Sequence, residues 1–506
     1  MSGFTDLRQF IDSVEELGEL KVALGADWNL EVGGITEYAQ HRRNGPAVLF
    51  DDIRGYSSGQ RVFINGMGSA NRTALVLGLP TGCSYKQLLP LWRERSQTIE
   101  PIPPRYVADG PVMGNILRGD QINMLAFPTP LWHELDGGRY IGTGVVDIIR
   151  DPDSDWVNLG AYRVMVKDER RVGLYISPGK HGRMMRDKYF DRGERMPVMM
   201  SFGHDPTLFL AASVEVPYGV CEYDYAGGIK GAAIDVIKGP VTGLPMPAQA
   251  EIVVEGFIAP GEVDEEGPFG EWTGYYASGH RTEPMMRVEA VYHRDDPIIL
   301  GSPPSKPPAE FTSYRCLMRS ALIWEQLERA GVPDVASVWA HEVGGARLLV
   351  AVSVRTRYAG HARQAGHAVM ACQAGAYAGR LVVVVDDDID VTSLDDVMWA
   401  MCTRCDPAED IDLIKKAWST PLDPRIPPYQ RERGDFTNSR LIIDATRPYE
   451  WRKEFPVVAE MSASFRETID REWGEFLNQP GNGTRAAGQT SAGKQAPQPA
   501  SAPIGG

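Results

Sequence analysis

Long hydrophobic runs are absent from this sequence of 506 residues. The longest aliphatic stretches, at residues 348–354 and 381–385, are far shorter than the roughly 20 residues that a helix needs to cross a bilayer, so we predict no membrane span. Cysteine is also scarce, because the chain has only six, spread from position 83 to position 405. Such spacing excludes a disulfide framework and favours reduced thiols in the cytoplasm.

Positive charge is in short supply, with 52 Lys and Arg against 67 Asp and Glu and a net charge of −15. That balance argues against broad nucleic-acid binding and against docking on an anionic membrane. The N-terminal stretch lacks the basic start and apolar core of a signal peptide, so we expect no secretion. A P-loop and a G-x-S-x-G nucleophile motif are missing too, which argues against nucleotidase and serine hydrolase activity.

What is present is an ordinary globular composition, 43% hydrophobic and 24% charged. The length suggests roughly two to four domains, and the order of helix-like and strand-like segments predicts an α/β (α+β multidomain) fold. The expected parts are an N-terminal α/β subdomain at residues 1–105, a β-rich sheet or barrel domain at 106–305, a linker helix at 306–332, a C-terminal α/β domain at 333–475 and a disordered tail at 476–506.

Two segments show the periodicities behind this division. Apolar residues recur at helical spacing from Leu7 onward, and Asp6 can cap the start, so a first amphipathic helix is predicted there. In residues 251–258, the two-residue period of a strand places Ile252, Val254 and Ile258 on one face and two glutamates on the other. This alternation predicts a half-buried strand whose solvated face carries Glu251 and Glu255.

A glycine pair after a predicted strand is the basis for an alternative, NAD-dependent function. Gly66 and Gly68 have the spacing of the first two glycines of a dinucleotide-binding turn, but Asn71 stands where the third glycine belongs. A partial match of this kind predicts an ordinary turn.

Polar and ionisable groups gather in four short segments of the β-rich region. The segments are residues 158–163 (NLGAYR), 177–182 (SPGKHG), 219–228 (GVCEYDYAGG) and 265–276 (EEGPFGEWTGYY). Taken singly, Arg163 is explained as half of an ion pair, His181 as a loop histidine and Glu222 as a solvated acid in a turn.

Taken together, these segments resemble the UbiD family of prenylated-flavin-dependent decarboxylases. Further stretches are similar to that family, among them DLRQFIDSVEELGEL, GPAVLFDDIRGY, RYAGHAR, VVDDDIDVTSLDDVMWAMCTRCDP and LIIDATRP. The resemblance covers about residues 4–475. It implies that the β-rich domain is a split-barrel-like flavin-binding domain and that the C-terminal domain mediates homo-oligomerisation, as a dimer or a hexamer.

The resemblance also implies a cofactor and its ions. Prenylated FMN would be bound through a divalent metal, Mn²⁺ or Mg²⁺, with a K⁺ ion nearby. Asn158, His181 and Glu222 match the family's metal ligands, and their oxygen and imidazole donors suit such an ion better than zinc. The residues expected along the cofactor are Asn158, Ala161, Tyr162, Arg163, Lys180, His181 and Glu222. At one position, Gln373, this chain departs from relatives that carry a lysine near the cofactor phosphate.

The catalytic set that the resemblance implies is an arginine between two carboxylates, here Arg163, Glu266 and Glu271. Decarboxylation needs an electron sink, which no amino-acid side chain provides, so a cofactor is required. We expect Glu271 to return a proton to carbon as a general acid. Glu266 is expected to hold Arg163 in place, and Arg163 to favour binding of an anionic substrate.

An aromatic, heteroaromatic or α,β-unsaturated carboxylic acid is the expected substrate, and a flavin prenyltransferase is the implied supplier of cofactor. Residues near 315–318 and 425–429 are expected to complete the pocket. Two alternatives stay open. One is a quinone-pathway decarboxylase of a prenylated hydroxybenzoate, which needs a wide apolar mouth, and the other is a catalytically silent flavin-binding homologue.

Overall fold

The computed structural model describes residues 3–42, 44–277 and 279–478. The strands are β1 (Leu20–Leu24), β2 (Ala47–Asp51), β3 (Arg61–Ile64), β4 (Arg105–Tyr106), β5 (Asn115–Arg118), β6 (Arg139–Gly142), β7 (Val145–Arg150), β8 (Val157–Gly160), β9 (Arg163–Val166), β10 (Arg171–Tyr175), β11 (Met196–Phe202), β12 (Asp235–Lys238), β13 (Pro245–Pro247), β14 (Ile252–Glu266), β15 (Arg281–His293), β16 (Ile298–Gly301), β17 (Val335–Ala340), β18 (Leu349–Val354), β19 (Leu381–Asp386), β20 (Ile411–Trp418) and β21 (Thr437–Ala445).

The α-helices lie between and around these strands. They are α1 (Leu7–Glu16), α2 (Glu31–Gln40), α3 (Ala70–Leu77), α4 (Tyr85–Ser96), α5 (His181–Asp191), α6 (Pro206–Ser213), α7 (Glu222–Lys230), α8 (Glu310–Arg329), α9 (His361–Ala371), α10 (Gln373–Ala376), α11 (Leu394–Arg404), α12 (Pro428–Glu432) and α13 (Ala463–Asn478). Within the described ranges, no helix is long and apolar enough to span a bilayer.

A large, mainly antiparallel sheet positions the site. Its strand order is β6-β9-β10-β15-β14-β11-β7-β8, and β5 pairs with β15. The long hairpin of β14 and β15 runs through its middle, with register shifts near Gly256 and between Ile258 and Val263. The sheet is thereby curved, since such irregularities bend a strand and increase its twist.

Three further sheets are present in the described residues, and the smallest has the strand order β13-β12-β4. The N-terminal sheet has the order β1-β2-β3-β16, so residues 298–301, from the segment predicted to be β-rich, join the N-terminal strands. The C-terminal sheet has the order β17-β18-β19-β21-β20, with β18, β19 and β21 in parallel. The predicted α/β multidomain fold is therefore confirmed.

The predicted first helix is confirmed as α1, and the Asp6 side chain accepts a hydrogen bond from the amide of Gln9 at 2.9 Å. The predicted solvated face of this strand is wrong, because Glu251, directly before β14, and Glu255, within it, are both fully buried. Arg8 donates to Glu251 at 2.9 Å, and Tyr292 donates its hydroxyl to Glu255 at 2.8 Å. Because side chains from distant segments pair with the two carboxylates, this face of the strand can be buried.

The contacts divide the chain into two units at Tyr449 and Glu450. This division falls inside residues 333–475, which were predicted to form one domain. In the second unit, α13 extends past the predicted boundary at 475, and the Trp473 and Phe476 rings contact each other 5.9 Å apart, centre to centre. From 479 onward, the predicted tail lies outside the described residues.

Candidate active site

Arg163 lies between two carboxylates, as the sequence predicts. Arg163 is the first residue of β9, Glu266 is the last residue of β14, and Glu271 lies in the loop that follows β14. Arg163 Nε and Nη2 donate to the two oxygens of Glu266 at 2.8 and 2.7 Å, while Nη1 donates to Glu271 Oε1 at 2.8 Å. The structure thus joins, through one guanidinium, three residues from separate elements.

The network is largely withdrawn from solvent. The Glu266 side chain is 0% exposed, against 10% for Arg163 and 12% for Glu271. Burial opposes the charge on Arg163, but Glu271 and Glu266 outweigh it and raise the pKa of Arg163 above its ordinary value. The arginine therefore stays charged, as a fixed cation beside the cavity described next.

A cavity of about 180 Å³ opens on this network. Ala161, Tyr162, Arg163, Lys180 and Glu271 all border it, so four predicted cofactor residues and a predicted acid share one space. Aromatic side chains supply much of the rest of the wall, namely Tyr175, Phe209, Phe269, Trp272 and Phe311. Such a lining suits a flat ring system with an anionic substituent.

Asn158 and Glu222 meet beside this cavity. Asn158 Nδ2 donates to Glu222 Oε1 at 2.8 Å, and the amide of Leu159 donates to Oε2 at 2.7 Å. Burial raises the pKa of Glu222 to about 7. The Tyr162 hydroxyl connects the two sides of the site, because it donates to Asn158 Oδ1 at 3.0 Å and accepts from the amide of Gly182 at 3.1 Å.

His181 is the first residue of α5, directly before Gly182. In the described chain its imidazole contacts the rings of Trp156 and Tyr218 and makes no hydrogen bond to Asn158 or Glu222. Burial, followed by the charge of Lys180, lowers the pKa of His181, which favours the neutral form that ligates metals.

These donors fit a hard divalent ion. The Asn158 amide oxygen accepts from the Tyr162 hydroxyl, the Glu222 carboxylate lies beside Asn158, and His181 directly precedes Gly182, whose amide donates to the same hydroxyl. No group of three His, Cys, Asp or Glu side chains among the described residues is placed to hold a metal. A metal site here therefore depends on the amide of Asn158.

Some site residues escaped the sequence analysis. Tyr140 donates its hydroxyl to Glu266 Oε1 at 2.9 Å, and its ring stacks on Phe269 at 3.9 Å between centres. No local pattern around Tyr140 could reveal a partner 126 residues away. Burial, with Glu266 nearby, raises the pKa of Tyr140, so its hydroxyl keeps its proton.

Two segments were predicted to complete the pocket, and they lie differently relative to this cavity. Arg315 lines the cavity, but residues 425–429 do not. The neighbouring Arg431 instead donates to the carbonyl of Ala277 at 3.0 Å, in the loop after Glu271. Gln373 begins α10 and does not line the cavity either.

Family models cover most of the chain. They are described as the N-terminal, Rift-related and C-terminal domains of 3-octaprenyl-4-hydroxybenzoate carboxy-lyase, and they match residues 11–92, 105–307 and 313–445. The class that the fold and the family models define is thus a carboxy-lyase.

Three relatives narrow this class. The chain is 31% identical to a pyrrole-2-carboxylic acid decarboxylase of Pseudomonas aeruginosa, over 93% of this chain and 98% of that one. It resembles the vanillic acid decarboxylase structure of Sedimentibacter hydroxybenzoicus, with 29% identity, a TM-score of 0.82 and coverage of 94% and 100%. The chain belongs to the UbiD family.

The third relative is the UbiD-class enzyme HmfF from Pelotomaculum thermopropionicum. Its complex with FMN is 28% identical, with a TM-score of 0.81 and coverage of 92% of this chain and 99% of that one. An evolved dimeric form in complex with prenylated FMN is 26% identical, with a TM-score of 0.77 and coverage of 91% and 100%.

Proposed function

We propose that this enzyme decarboxylates a small aromatic or heteroaromatic carboxylic acid with prenylated FMN as its cofactor. The observation that carries the proposal is the buried Arg163 network, which faces a cavity walled by aromatic rings. Relatives that act on pyrrole-2-carboxylic and vanillic acids support the substrate class. α,β-Unsaturated acids remain within this proposal.

The cofactor and its ions belong to the same proposal. Prenylated FMN, when bound, supplies the electron sink that decarboxylation requires. Asn158, His181 and Glu222 would hold Mn²⁺ or Mg²⁺ at its phosphate end, with K⁺ nearby, while Ala161, Tyr162, Arg163 and Lys180 would lie along the cofactor. Support comes from the shared cavity of these last four residues and from the flavin complexes of HmfF.

Each catalytic side chain has a distinct task in this proposal. Arg163 attracts the substrate carboxylate and orients it at the cavity wall. Glu266 accepts from both Arg163 and Tyr140, which fixes the guanidinium. Glu271 borders the cavity and delivers a proton to the carbon that loses carbon dioxide.

A polyprenylated hydroxybenzoate, the substrate in the family model's description, is the second candidate. Its long chain would need a wide apolar mouth. The cavity is small, and the cationic side chains of Lys180 and Arg315 form part of its wall. These features favour a compact acid.

The cellular location, the domain division and the oligomeric state are also part of the proposal. Six unpaired cysteines agree with a cytoplasmic location, where a flavin prenyltransferase would supply the cofactor. We keep the division at 1–105, 106–305, 306–332 and 333–475, with homo-oligomerisation through the last of these as a dimer or hexamer. Light scattering of the purified enzyme tests the oligomeric state.

Co-expression with a flavin prenyltransferase, with Mn²⁺ and K⁺ supplied, tests the function. The expected result is a released flavin heavier than FMN by one five-carbon unit, together with carbon dioxide release from pyrrole-2-carboxylate or vanillate. Turnover of a prenylated hydroxybenzoate alone would favour the second candidate. A protein that binds the flavin but releases no carbon dioxide from any of these acids supports a silent flavin-binding homologue, and one that binds no flavin contradicts the proposal.

A further inference from the structure

Four cations and one carboxylate lie near one another on one side of the cavity. We call this group the basic cluster; it consists of Lys180, Arg315, Arg319, Arg347 and Glu215. The Nη2 atoms of Arg319 and Arg347 each donate to Glu215 Oε1 at 2.5 Å. With one negative charge against four positive charges, the cluster has a formal charge of about +3 if all five groups are ionised.

Within the cluster, the two arginines that pair with Glu215 lie largely away from solvent, whereas Glu215 itself is 37% exposed and Lys180 is also exposed. The Arg319 and Arg347 side chains are only 4% and 11% exposed. Burial opposes the charge on Glu215, but Arg319 and Arg347 keep its pKa well below the ordinary value, so it stays ionised. Burial, with Arg347 nearby, lowers the pKa of Arg319 to about 10. Desolvated like charges are costly unless an anion joins them.

Two members of the cluster are turned toward the cavity. Lys180 and Arg315 border it, and neither forms a salt bridge within the described residues. Arg315 Nε is buried and has no hydrogen-bond partner in that part of the chain. By contrast, Arg163 on the same cavity is held by Glu266 and Glu271, and the proposed function already assigns it to the substrate carboxylate. Lys180 and Arg315 are therefore the two cations on the cavity wall that we expect to bind a further anion.

The charge of the cluster indicates the kind of anion. An excess near +3 suits a dianion better than a single carboxylate. The flavin of the proposed function, on which this inference rests, carries one dianionic group, its phosphate monoester. Lys180 also directly precedes His181 and contributes to its electrostatic environment, so the cluster adjoins the proposed metal site.

We infer that the basic cluster binds the phosphate of the flavin, with Lys180 and Arg315 contacting it. Glu215 holds Arg319 and Arg347 behind them as positioning residues. Arg319 Nη1 also donates to the carbonyl of Ala374 at 2.8 Å. The cluster therefore lies next to Gln373. Its arginines on α8 would supply the positive charge that a lysine at position 373 provides in some relatives.

Equilibrium binding of FMN and of riboflavin, which lacks the phosphate, tests this inference. Flavin-free full-length enzyme is titrated with each flavin and its fluorescence is followed, for the wild type and for Arg315→Gln. The matched control is Arg329→Gln, because Arg329 lies on the same helix, is 78% exposed and pairs with Glu325. Circular dichroism establishes that the variants are folded.

The wild type should bind FMN more tightly than riboflavin. Arg315→Gln should weaken FMN binding by about 10- to 100-fold, the range for a lost hydrogen bond to a charged group, and leave riboflavin binding unchanged. Arg329→Gln should behave as the wild type. An unchanged preference for FMN in Arg315→Gln overturns the inference, as does a variant that instead loses affinity for the acid substrate.

A measurement on the wild type covers the case in which Arg315→Gln does not fold. After removal of divalent metal with EDTA, the cluster should still give FMN an advantage over riboflavin. Equal affinities for the two flavins overturn the inference and leave the proposed function intact. If the wild type binds neither flavin, the proposed function itself fails.

Discussion

Glu271→Gln should abolish most turnover while leaving the fold nearly intact. The change removes a proton donor but keeps the shape and the carbonyl that can accept from Arg163 Nη1, now at 2.8 Å from Glu271. General acid catalysis contributes about 10²- to 10⁴-fold to a rate, so kcat should fall by that factor. Stability should change by only about 1 kcal/mol, since the amide keeps the shape of the side chain and an acceptor for Arg163.

Glu266→Gln is the matched comparison, because it makes the same chemical change on the same arginine. Glu266 is fully buried and accepts hydrogen bonds from Arg163 Nε, from Arg163 Nη2 and from Tyr140. Breaking a buried ion pair on one side costs about 3–5 kcal/mol. This variant should therefore lose stability as well as activity.

Both variants are assayed in the same way after loading with prenylated FMN. Carbon dioxide release gives kcat and KM, absorbance gives the flavin content, and urea unfolding gives the free energy of unfolding. The expected pattern is full flavin content and normal stability with lost kcat for Glu271→Gln. Wild-type kcat in Glu271→Gln would refute the acid assignment, and equal loss of stability in both variants would refute the distinction between them.

Three further changes test other parts of the site and fold. Tyr162→Phe removes the hydroxyl that bridges Asn158 and Gly182; it should cost about 1–3 kcal/mol in urea unfolding and weaken metal binding measured by calorimetry. Gly267→Ala, at φ +81° with its new Cβ 2.9 Å from the Gly279 carbonyl, should cost about 1–3 kcal/mol and lower kcat, whereas unchanged unfolding would argue against this turn geometry. Burial raises the pKa of Glu310 to about 7; its contribution to stability is present at low pH and is lost as pH rises through 7, so Glu310→Gln should gain about 2 kcal/mol relative to the wild type between pH 5 and pH 8. Parallel pH profiles for the two proteins would contradict this last expectation.

Local patterns were sufficient for part of this molecule. The period of the apolar residues and the cap at Asp6 predicted α1, because helix formation depends on neighbours a few positions apart. The segments around Arg163 and Glu271 pointed to the family, since each carries its glycines and charged residues within about a dozen positions. Element type and family membership were therefore determined by the sequence alone.

Partnerships over long distances in the chain were decided by tertiary packing. Arg163 and Glu266 are 103 residues apart, and only the pairing of β9, β10, β15 and β14 brings them to hydrogen-bond distance. The same holds for Arg319 and Glu215, separated by 104 residues. From the sequence alone, a charged residue is expected to be solvated. Its burial depends on a distant partner and on an element that covers it, and neither can be found in the local sequence. For that reason the buried Glu255 was mispredicted and the basic cluster was visible only in the folded chain.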